Sequence, residues 1–340
     1  MTNFTVENIN DSGNGSLRQA IEDANATSGA DNIQFDSELS GQEIILTSGD
    51  LEISDSVEIS GNGVDITING NNNSRIFTVD DLDATIQSEV ILDQLTLTGG
   101  SSDQGGGAIA NSENLTIDQS RITNNENTSL EPTDGGGAIT NSASGNLDIN
   151  NSLLAENQSS AFGGGVTNLG ELSVENSIIF DNTVTSGGGG GIDNRGSIAD
   201  ITGTIVANNT NTANPAGGIG NGTPESTTVV RDSLIFGNQA LDGAGFFVNA
   251  GNFELIDSTV LNNQAQNNGG GTALVEGANL EVNGSLIALN SAEVNGGGIA
   301  SLGGNVTVNE SNIFGNEALT GSDDGIFNEG GSLDVNSSFV

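Results

Sequence analysis

Hydrophobic and polar residues alternate along this chain in short runs, and from Gly105 onward the runs recur as one unit. A glycine cluster and a small-apolar-x-Asn step open the unit, as at residues 107–111. An alternating apolar pair follows, such as Leu115 and Ile117, and then a hydroxyl-x-apolar-x-x-Asn step, such as residues 120–125. Period-two alternation predicts β-strands, and the Gly, Asn, Asp and Ser between them predict turns. Each unit therefore predicts three short strands.

The repeat predicts an all-β solenoid. A helical solenoid needs longer runs without glycine than these units contain, whereas three strands per coil, stacked coil on coil, make a parallel β-helix. We expect about 11–12 coils. Residues 1–104 are predicted to form an amino-terminal cap and irregular first coils, and residues 105–340 the regular GGAI/φxxN repeats of the same continuous solenoid. Because residue 340 falls inside a predicted strand, we expect the carboxy-terminal end to be uncapped, either because the natural protein is longer or because another subunit covers it.

One segment predicts a helix, at about residues 16–26. Ser16 is a suitable amino-terminal cap, and Gln19 occupies the capping-box position. The apolar face comprises Leu17, Ala20, Ile21 and Ala24. Since a β-helix must cover its open end, we interpret this helix as a lid.

The asparagine that closes each unit predicts a structural ladder. Asparagine tolerates left-handed backbone at a bend, and stacked side-chain amides can hydrogen-bond along the solenoid axis. The ladder is predicted to comprise Asn125, Asn157, Asn182, Asn209, Asn238, Asn263, Asn290 and Asn316.

Strand parity predicts two unlike outer faces. The middle strand carries outward acidic residues such as Asp148, Asp200 and Glu254, whereas the next strand is apolar outward as well as inward. The predicted interface comprises Leu153, Ile178, Phe180, Ile205, Leu234, Phe236, Leu261, Leu286 and Phe314. Because an uncovered stripe this long would exceed the apolar patch that a monomer usually exposes, we expect a contact there. Two alternatives stay open: turns such as residues 210–215 cover the stripe, or the parity slips locally.

Composition removes many chemistries. The 340 residues include 45 acidic and 5 basic side chains, and no His or Cys. The five basic residues are all arginine. This excludes His- or Cys-dependent nucleophiles, zinc sites with those ligands, disulfides and Schiff-base lysines. The net charge of −40 disfavours nucleic acid and anionic membrane surfaces, and no apolar run is long enough for a membrane span.

Enzymatic and metal-binding functions have weak support in the sequence. Parallel β-helices can carry polysaccharide lyases or hydrolases, but the arginines do not converge and the Trp and Tyr that usually line glycan sites are absent. We therefore predict no enzymatic activity, no catalytic residues and no cofactor. Calcium is the possible exception, because residues 61–65 resemble one calcium-binding nonapeptide. The candidate ligands are Asp65, Asp80, Asp81 and Asp83.

Two motifs resemble a known group of proteins. Gly15-Ser-Leu-Arg-Gln-Ala-Ile21 with Ala24-Asn25 resembles the SLR-x-AI-x-x-AN opening of bacterial exported right-handed β-helix proteins. Gly106-Gly-Ala-Ile109, with its apolar-x-x-Asn steps, is similar to the GGAI and FxxN repeats of polymorphic outer-membrane, autotransporter-like adhesins. The resemblance implies a right-handed parallel β-helix at the bacterial cell surface or outside the cell. The export route is not visible in this segment.

Together these features predict a non-enzymatic structural or adhesive segment of an exported bacterial cell-surface protein. Its expected partner is a protein, another copy of the chain or a surface glycan, contacted through the apolar stripe. The alternatives are a self-assembling extracellular filament or matrix subunit stacked end to end, and a polysaccharide lyase or hydrolase on a β-helix scaffold.

Overall fold

The computed structural model describes residues 1–83, 86–131 and 133–340, whose strands form four parallel sheets along one solenoid of about 12 turns. One coil runs through Ile109–Asn111 in sheet 1, Asn114–Asp118 in sheet 2, Arg121–Thr123 in sheet 3 and Glu126–Asn127 in sheet 4. Each strand pairs in parallel with the equivalent strands one coil before and after it. The predicted parallel β-helix is confirmed.

The strands of sheets 1 and 3 are mostly three or four residues long. Sheet 1 contains Leu51–Ile53, Phe77–Val79, Ile109–Asn111, Ile139–Asn141, Val166–Asn168, Ile192–Asn194, Ile219–Asn221, Phe246–Val248, Thr272–Val275, Ile299–Leu302 and Ile326–Asn328. Sheet 3 contains Gln42–Ile45, Ile66–Asn69, Leu95–Thr98, Arg121–Thr123, Leu153–Ala155, Ile178–Phe180, Ile205–Ala207, Leu234–Phe236, Thr259–Leu261, Leu286–Ala288 and Asn312–Phe314.

Sheet 2 has the longer strands, and sheet 4 has strands of two residues. Sheet 2 contains Asn3–Val6, Asp31–Phe35, Val57–Ser60, Glu89–Asp93, Asn114–Asp118, Asn146–Asn150, Glu171–Glu175, Ile198–Thr202, Thr227–Arg231, Gly251–Ile256, Ala278–Asn283, Asn305–Asn309 and Leu333–Asn336. Sheet 4 contains Ser101–Ser102, Glu126–Asn127, Gln158–Ser159, Thr183–Val184, Thr210–Asn211, Gln239–Ala240, Gln264–Ala265, Ser291–Ala292 and Glu317–Ala318. The three predicted strands per unit correspond to sheets 1–3. Sheet 4 was not predicted, because two residues are too few for an alternating pattern.

The lid helix spans Leu17–Asn25 and packs against Asn3–Val6 and Leu51–Ile53. The Ser16 side chain caps it, accepting a hydrogen bond from the Gln19 N–H at 3.2 Å. The capping box is incomplete, however, because the Gln19 side chain donates to Asp23 instead of turning back to Ser16. The four residues of its predicted apolar face are buried, so the helix covers the interior beside the first coils.

The core is a continuous stack of apolar side chains, because in-register pairing places like residues above one another. In sheet 2, Leu115 lies beside Leu147, and Ile117 beside Ile149, all fully buried. A short 3-10 helix at Ser37–Leu39 adds Leu39 to this core. No helix among the described residues is long and apolar enough to cross a membrane.

Candidate functional site

A buried column of asparagines lies where sheet 3 meets sheet 4. The amide nitrogen of each donates to the amide oxygen of the next at 2.9–3.1 Å, from Asn125 through to Asn316. In Asn209, for example, Nδ2 also donates to the Ile179 carbonyl at 2.9 Å, and Oδ1 accepts from the Asn182 backbone N–H at 3.0 Å. These side chains lie inside the solenoid with their hydrogen bonds satisfied, an arrangement that favours a structural role.

The left-handed backbone at this bend belongs to a different residue from the predicted one. The residue before each ladder asparagine has the positive φ, for example 58° at Asn124 and 55° at Asn208. The ladder asparagines themselves are absent from the positive-φ residues of the described chain. The recurrence of asparagine at this position of each coil therefore follows from the stacking of the side-chain amides and not from tolerance of left-handed backbone.

Two further ladders were missed in the sequence. Asn111, Asn141, Asn168, Asn194 and Asn221 form a second buried amide column at the end of sheet 1, with steps of 2.8–3.4 Å. The hydroxyl of each recurring Ser or Thr between sheets 2 and 3 accepts from the backbone N–H one coil earlier, as Ser152 does from Ser120 at 3.0 Å. The recurrence of these residues was visible, but their partners depend on the register between coils.

The predicted interface residues all lie on the outer face of sheet 3, in two adjacent columns. Leu153, Ile178, Ile205 and Leu234 follow one another in register in the first column. Thr259 interrupts that column before Leu286. The second column contains the other four predicted residues, Phe180, Phe236, Leu261 and Phe314. Ala207 separates Phe180 from Phe236, and Ala288 separates Leu261 from Phe314, whereas Phe236 and Leu261 are direct neighbours. We refer to these nine residues as the apolar stripe.

The apolar stripe is partly exposed. Ile178 is 40% exposed, Ile205 39% and Phe314 47%, whereas the other six side chains are half-buried. From the coil spacing, the stripe is about 30 Å long and about 10 Å wide, an area of about 300 Å². The expectation that it exceeds the largest apolar patch of an ordinary monomer is therefore wrong, because its area is of that same size. Residues 210–215, proposed as a possible cover, begin with a strand of sheet 4, and the parity of sheet 3 does not slip.

Carboxylates border the stripe on both long edges. Glu156 and Asp181 are exposed on the edge toward sheet 4, and Asp232 and Asp257 on the edge toward sheet 2. Burial and the neighbouring Glu156 raise the pKa of Asp181, against the lowering effect of a hydrogen bond from Asn208. The stripe is therefore an apolar strip with an acidic rim.

The predicted calcium ligands do not all come together. Asp80 and Asp81 lie with the buried Glu113 in one group of carboxylates within 4.8 Å of one another. Among the described residues Asp65 is not part of this group, and the Asp83 N–H donates to Asp81. Both Glu113 oxygens accept backbone N–H groups, from Asp81 at 3.2 Å and Ser88 at 2.8 Å, while burial raises its pKa. Calcium binding stays a prediction.

Four of the five arginines lie apart and pair with different aspartates. Arg18 of the lid helix pairs with Asp11 at 2.9 Å, Arg75 with Asp50 at 3.7 Å, and Arg231 with Asp200 at 3.0 Å on sheet 2. Asp11 also accepts from Thr47 and Ser48. Burial alone would raise its pKa, but the hydrogen bonds from Ser48, Arg18 and Thr47 lower it to about 2.

The fourth pair, Arg195 and Asp193, lies in a cavity of about 290 Å³ on sheet 1. Asp193 points outward from its strand but is 3% exposed. The Arg195 guanidinium stacks on the Phe162 ring at 4.1 Å, and its Nε lies 3.8 Å from Asp193 Oδ2. Burial raises the pKa of Asp193 to about 7, although the Arg195 charge opposes the shift. Sequence reasoning missed this cavity, because parity alone does not reveal what covers an outward side chain.

No protein-family model and no curated protein matches the chain. Among solved structures, it is similar to tailspike protein 3 of bacteriophage CBA120, with 11% identity and a TM-score of 0.43 over 96% of this chain and 59% of that one. The Azotobacter vinelandii mannuronan C-5 epimerase AlgE6 A-module has 11% identity and a TM-score of 0.40 over 99% of this chain and 98% of that one. The Dettilon tailspike protein has 12% identity and a TM-score of 0.39 over 95% and 64%. The chain thus spans about three fifths of each tailspike chain.

Proposed function

We propose that this chain is a non-enzymatic structural and adhesive segment of an exported bacterial cell-surface protein, and that it makes its contacts through the apolar stripe. The observation that carries the proposal is the unbroken register of Leu153, Ile178, Ile205 and Leu234 along the outside of sheet 3. The solenoid holds the apolar stripe at a fixed spacing, because each coil that carries it is joined to the next by the asparagine ladder and by strand pairing.

The area of the stripe favours weak contacts that act in numbers. A stable protein interface buries about 800 Å² on each partner, whereas the stripe offers about 300 Å². A single contact of this size is weak, but many copies displayed together gain avidity without any new contact. This is the behaviour expected of an adhesive surface.

Charge favours a partner protein over a second copy. The chain carries a net charge of −40, and acidic residues line both edges of the stripe. Two copies would bring like charges together, whereas a partner with an apolar strip and a basic rim would be attracted. Salt separates the two cases, because screening strengthens contact between copies and weakens contact with a basic partner.

A non-enzymatic role is also consistent with the cavity on sheet 1. Among the described residues that line it, Asp193 is the one carboxylate, whereas most glycosidases use two. Incubation with uronate and neutral glycans, with and without Ca²⁺, is expected to give no turnover. Saturable turnover would overturn this part of the proposal.

The stripe is tested with beads that carry many copies of the chain. The variant Ile178→Ser, Phe180→Ser, Leu234→Ser, Phe236→Ser removes apolar area from two coils, and Asp148→Asn, Glu254→Gln, Glu281→Gln alters sheet 2 as a matched control. Bead clustering reports contact between copies, and bead retention on cultured bacteria reports contact with a partner. We expect the first variant to reduce one of these readouts and the control to leave both unchanged. Equal attachment of all three proteins, or none by any, would contradict the proposal.

A further inference from the structure

The cavity on sheet 1 arises from two glycines facing two charged residues. Asp193 pairs in register with Gly220 of the next coil, and Gly220 with Phe247 of the coil after that. A Cβ at Gly220 would lie 2.7 Å from Asp193 Oδ1, and one at Gly222 would lie 3.2 Å from Arg195 Cγ. Any larger residue at these two positions would meet the charged side chains. Because Gly220 and Gly222 carry no side chains beside Asp193 and Arg195, the outer surface has a notch there that is one coil long along the solenoid axis. We refer to this cavity as the notch.

The notch has a polar wall and an apolar wall. Asp193 forms the first wall, and Phe247, which lies two coils away at about 10 Å along the axis, forms the second. Asn214, Pro215 and Asn249 also line the cavity and are partly or fully exposed. A flat group of ring thickness fits between a carboxylate and an aromatic face at this separation.

The Asp193 carboxylate lines this space without accepting a hydrogen bond from the described residues. Among those residues, Asp193 Oδ2 is enclosed without a hydrogen-bond donor, with Arg195 Nε 3.8 Å away, and Oδ1 is the carboxylate oxygen that faces the space above Gly220. A buried carboxylate oxygen without a donor is costly, so a ligand that offers an O–H or N–H there would be favoured.

We propose that this notch binds a neutral ring with neighbouring hydroxyl groups, about the size of one six-carbon cyclitol or hexose unit. One hydroxyl donates to Asp193 Oδ1, and the C–H face of the ring packs on Phe247. The volume of about 290 Å³ corresponds to about ten waters, which suits a ligand of about twelve non-hydrogen atoms.

Charge selects a neutral ligand. The guanidinium of Arg195 lies beside Asp193 and stacks on the Phe162 ring. Its fixed positive charge would repel a cation in the notch. The net charge of −40 opposes an anion. Because the notch lies on sheet 1 and the apolar stripe on sheet 3, this site does not depend on the proposed adhesive contact.

The test is titration of the full chain with methyl α-D-glucopyranoside and with myo-inositol, followed by saturation-transfer NMR and calorimetry. A ligand of this size is expected to bind with a dissociation constant of about 1–10 mM. Gly220→Ala should abolish binding by filling the notch. At about pH 8.5, where Asp193 with its pKa of about 7 is ionised, Asp193→Asn should weaken binding about tenfold through loss of a charged acceptor. The matched control is Asp200→Asn, which alters the exposed Asp200–Arg231 pair on sheet 2 and should leave binding unchanged.

Two measurements keep the proposal falsifiable even if one variant misfolds. Far-UV circular dichroism identifies misfolded protein, and chemical-shift changes in wild-type protein labelled at Phe locate the ligand at Phe162 and Phe247. Preference for the hexoside identifies the end of a glycan as the source, preference for inositol a free cyclitol, and either supports the site. No binding by wild type up to about 50 mM, undiminished binding by folded Gly220→Ala, or tighter binding of glucuronate than of the neutral rings would overturn it.

Discussion

Replacement of Asn209 by alanine tests the asparagine ladder in the middle of the solenoid. The substitution removes two donor and two acceptor contacts, with Ile179 O, Asn238 Oδ1, and the backbone and side-chain nitrogens of Asn182. The Asn182 N–H is left buried without its acceptor, which costs about 1–3 kcal/mol, and the other three lost bonds cost about 1 kcal/mol each. We expect the free energy of unfolding to fall by about 4–6 kcal/mol.

The neighbouring residue supplies the matched control. Asn208 is exposed and has φ of 55°, so Asn208→Gly removes the same amide while glycine keeps the left-handed backbone without strain. The control should cost less than about 1 kcal/mol. A second variant, Asn209→Asp, retains the acceptors but cannot donate to Ile179 O or Asn238 Oδ1 when ionised. It should be strongly destabilised at neutral pH and partly rescued in acid.

Urea unfolding followed by far-UV circular dichroism measures these changes, since the chain has no Trp or Tyr for intrinsic fluorescence of those residues. Because a solenoid can unfold in parts, hydrogen exchange at the Asn182 amide provides a local readout. Faster exchange there in Asn209→Ala than in Asn208→Gly is expected. If the two variants had equal stability and equal exchange, the ladder would not be stabilising the fold.

Three further substitutions test the lid and the buried carboxylate. Asp193 has a folded pKa of about 7 against 3.8 unfolded, so the free energy of unfolding of the wild type should fall by up to about 4 kcal/mol as pH rises from about 4 to 7. Asp193→Asn should lack this pH dependence in urea titrations at several pH values. The same pH dependence in the variant would contradict the raised pKa of Asp193. Asp11 has a lowered pKa of about 2, so it contributes about 2 kcal/mol to the free energy of unfolding above pH 4 and loses this contribution as pH falls toward 2. Asp11→Asn should remove that acid dependence. A variant as acid-sensitive as the wild type would refute the lowered pKa. Ser16→Ala should cost about 1 kcal/mol and speed amide exchange in Leu17–Asn25, and unaltered exchange there would show that the cap is dispensable.

The strands of sheets 1–3 were predictable because their physical cause is local. Period-two alternation at Leu115 and Ile117, and the hydroxyl-x-apolar step at Ser120 and Ile122, fix which side chains face inward. The lid helix was predictable for the same reason, since its cap and apolar face lie within ten residues of chain. A repeated unit also fixes its own register, because any slip would expose an apolar column.

The cavity around Asp193 was not predictable, since it depends on contacts between coils. Parity places Asp193 outward, where a carboxylate is ordinarily solvated, and its burial follows from the glycine-rich segment that crosses above it, where Gly188 approaches its Oδ1. The grouping of Glu113 with Asp80 and Asp81 likewise joins residues that are distant in sequence. To predict such sites, one must know the register between coils, the path of each turn and the positions where neighbouring coils lack a side chain.

The central claim, that the apolar stripe makes weak contacts multiplied by display, is tested most directly by varying the number of chains on each bead. Weak contacts acting together predict that attachment rises more steeply than in proportion to surface density, and that the Ile178→Ser, Phe180→Ser, Leu234→Ser, Phe236→Ser variant loses this steep rise. Attachment that is proportional to density, or that stays steep in the stripe variant, would contradict the account.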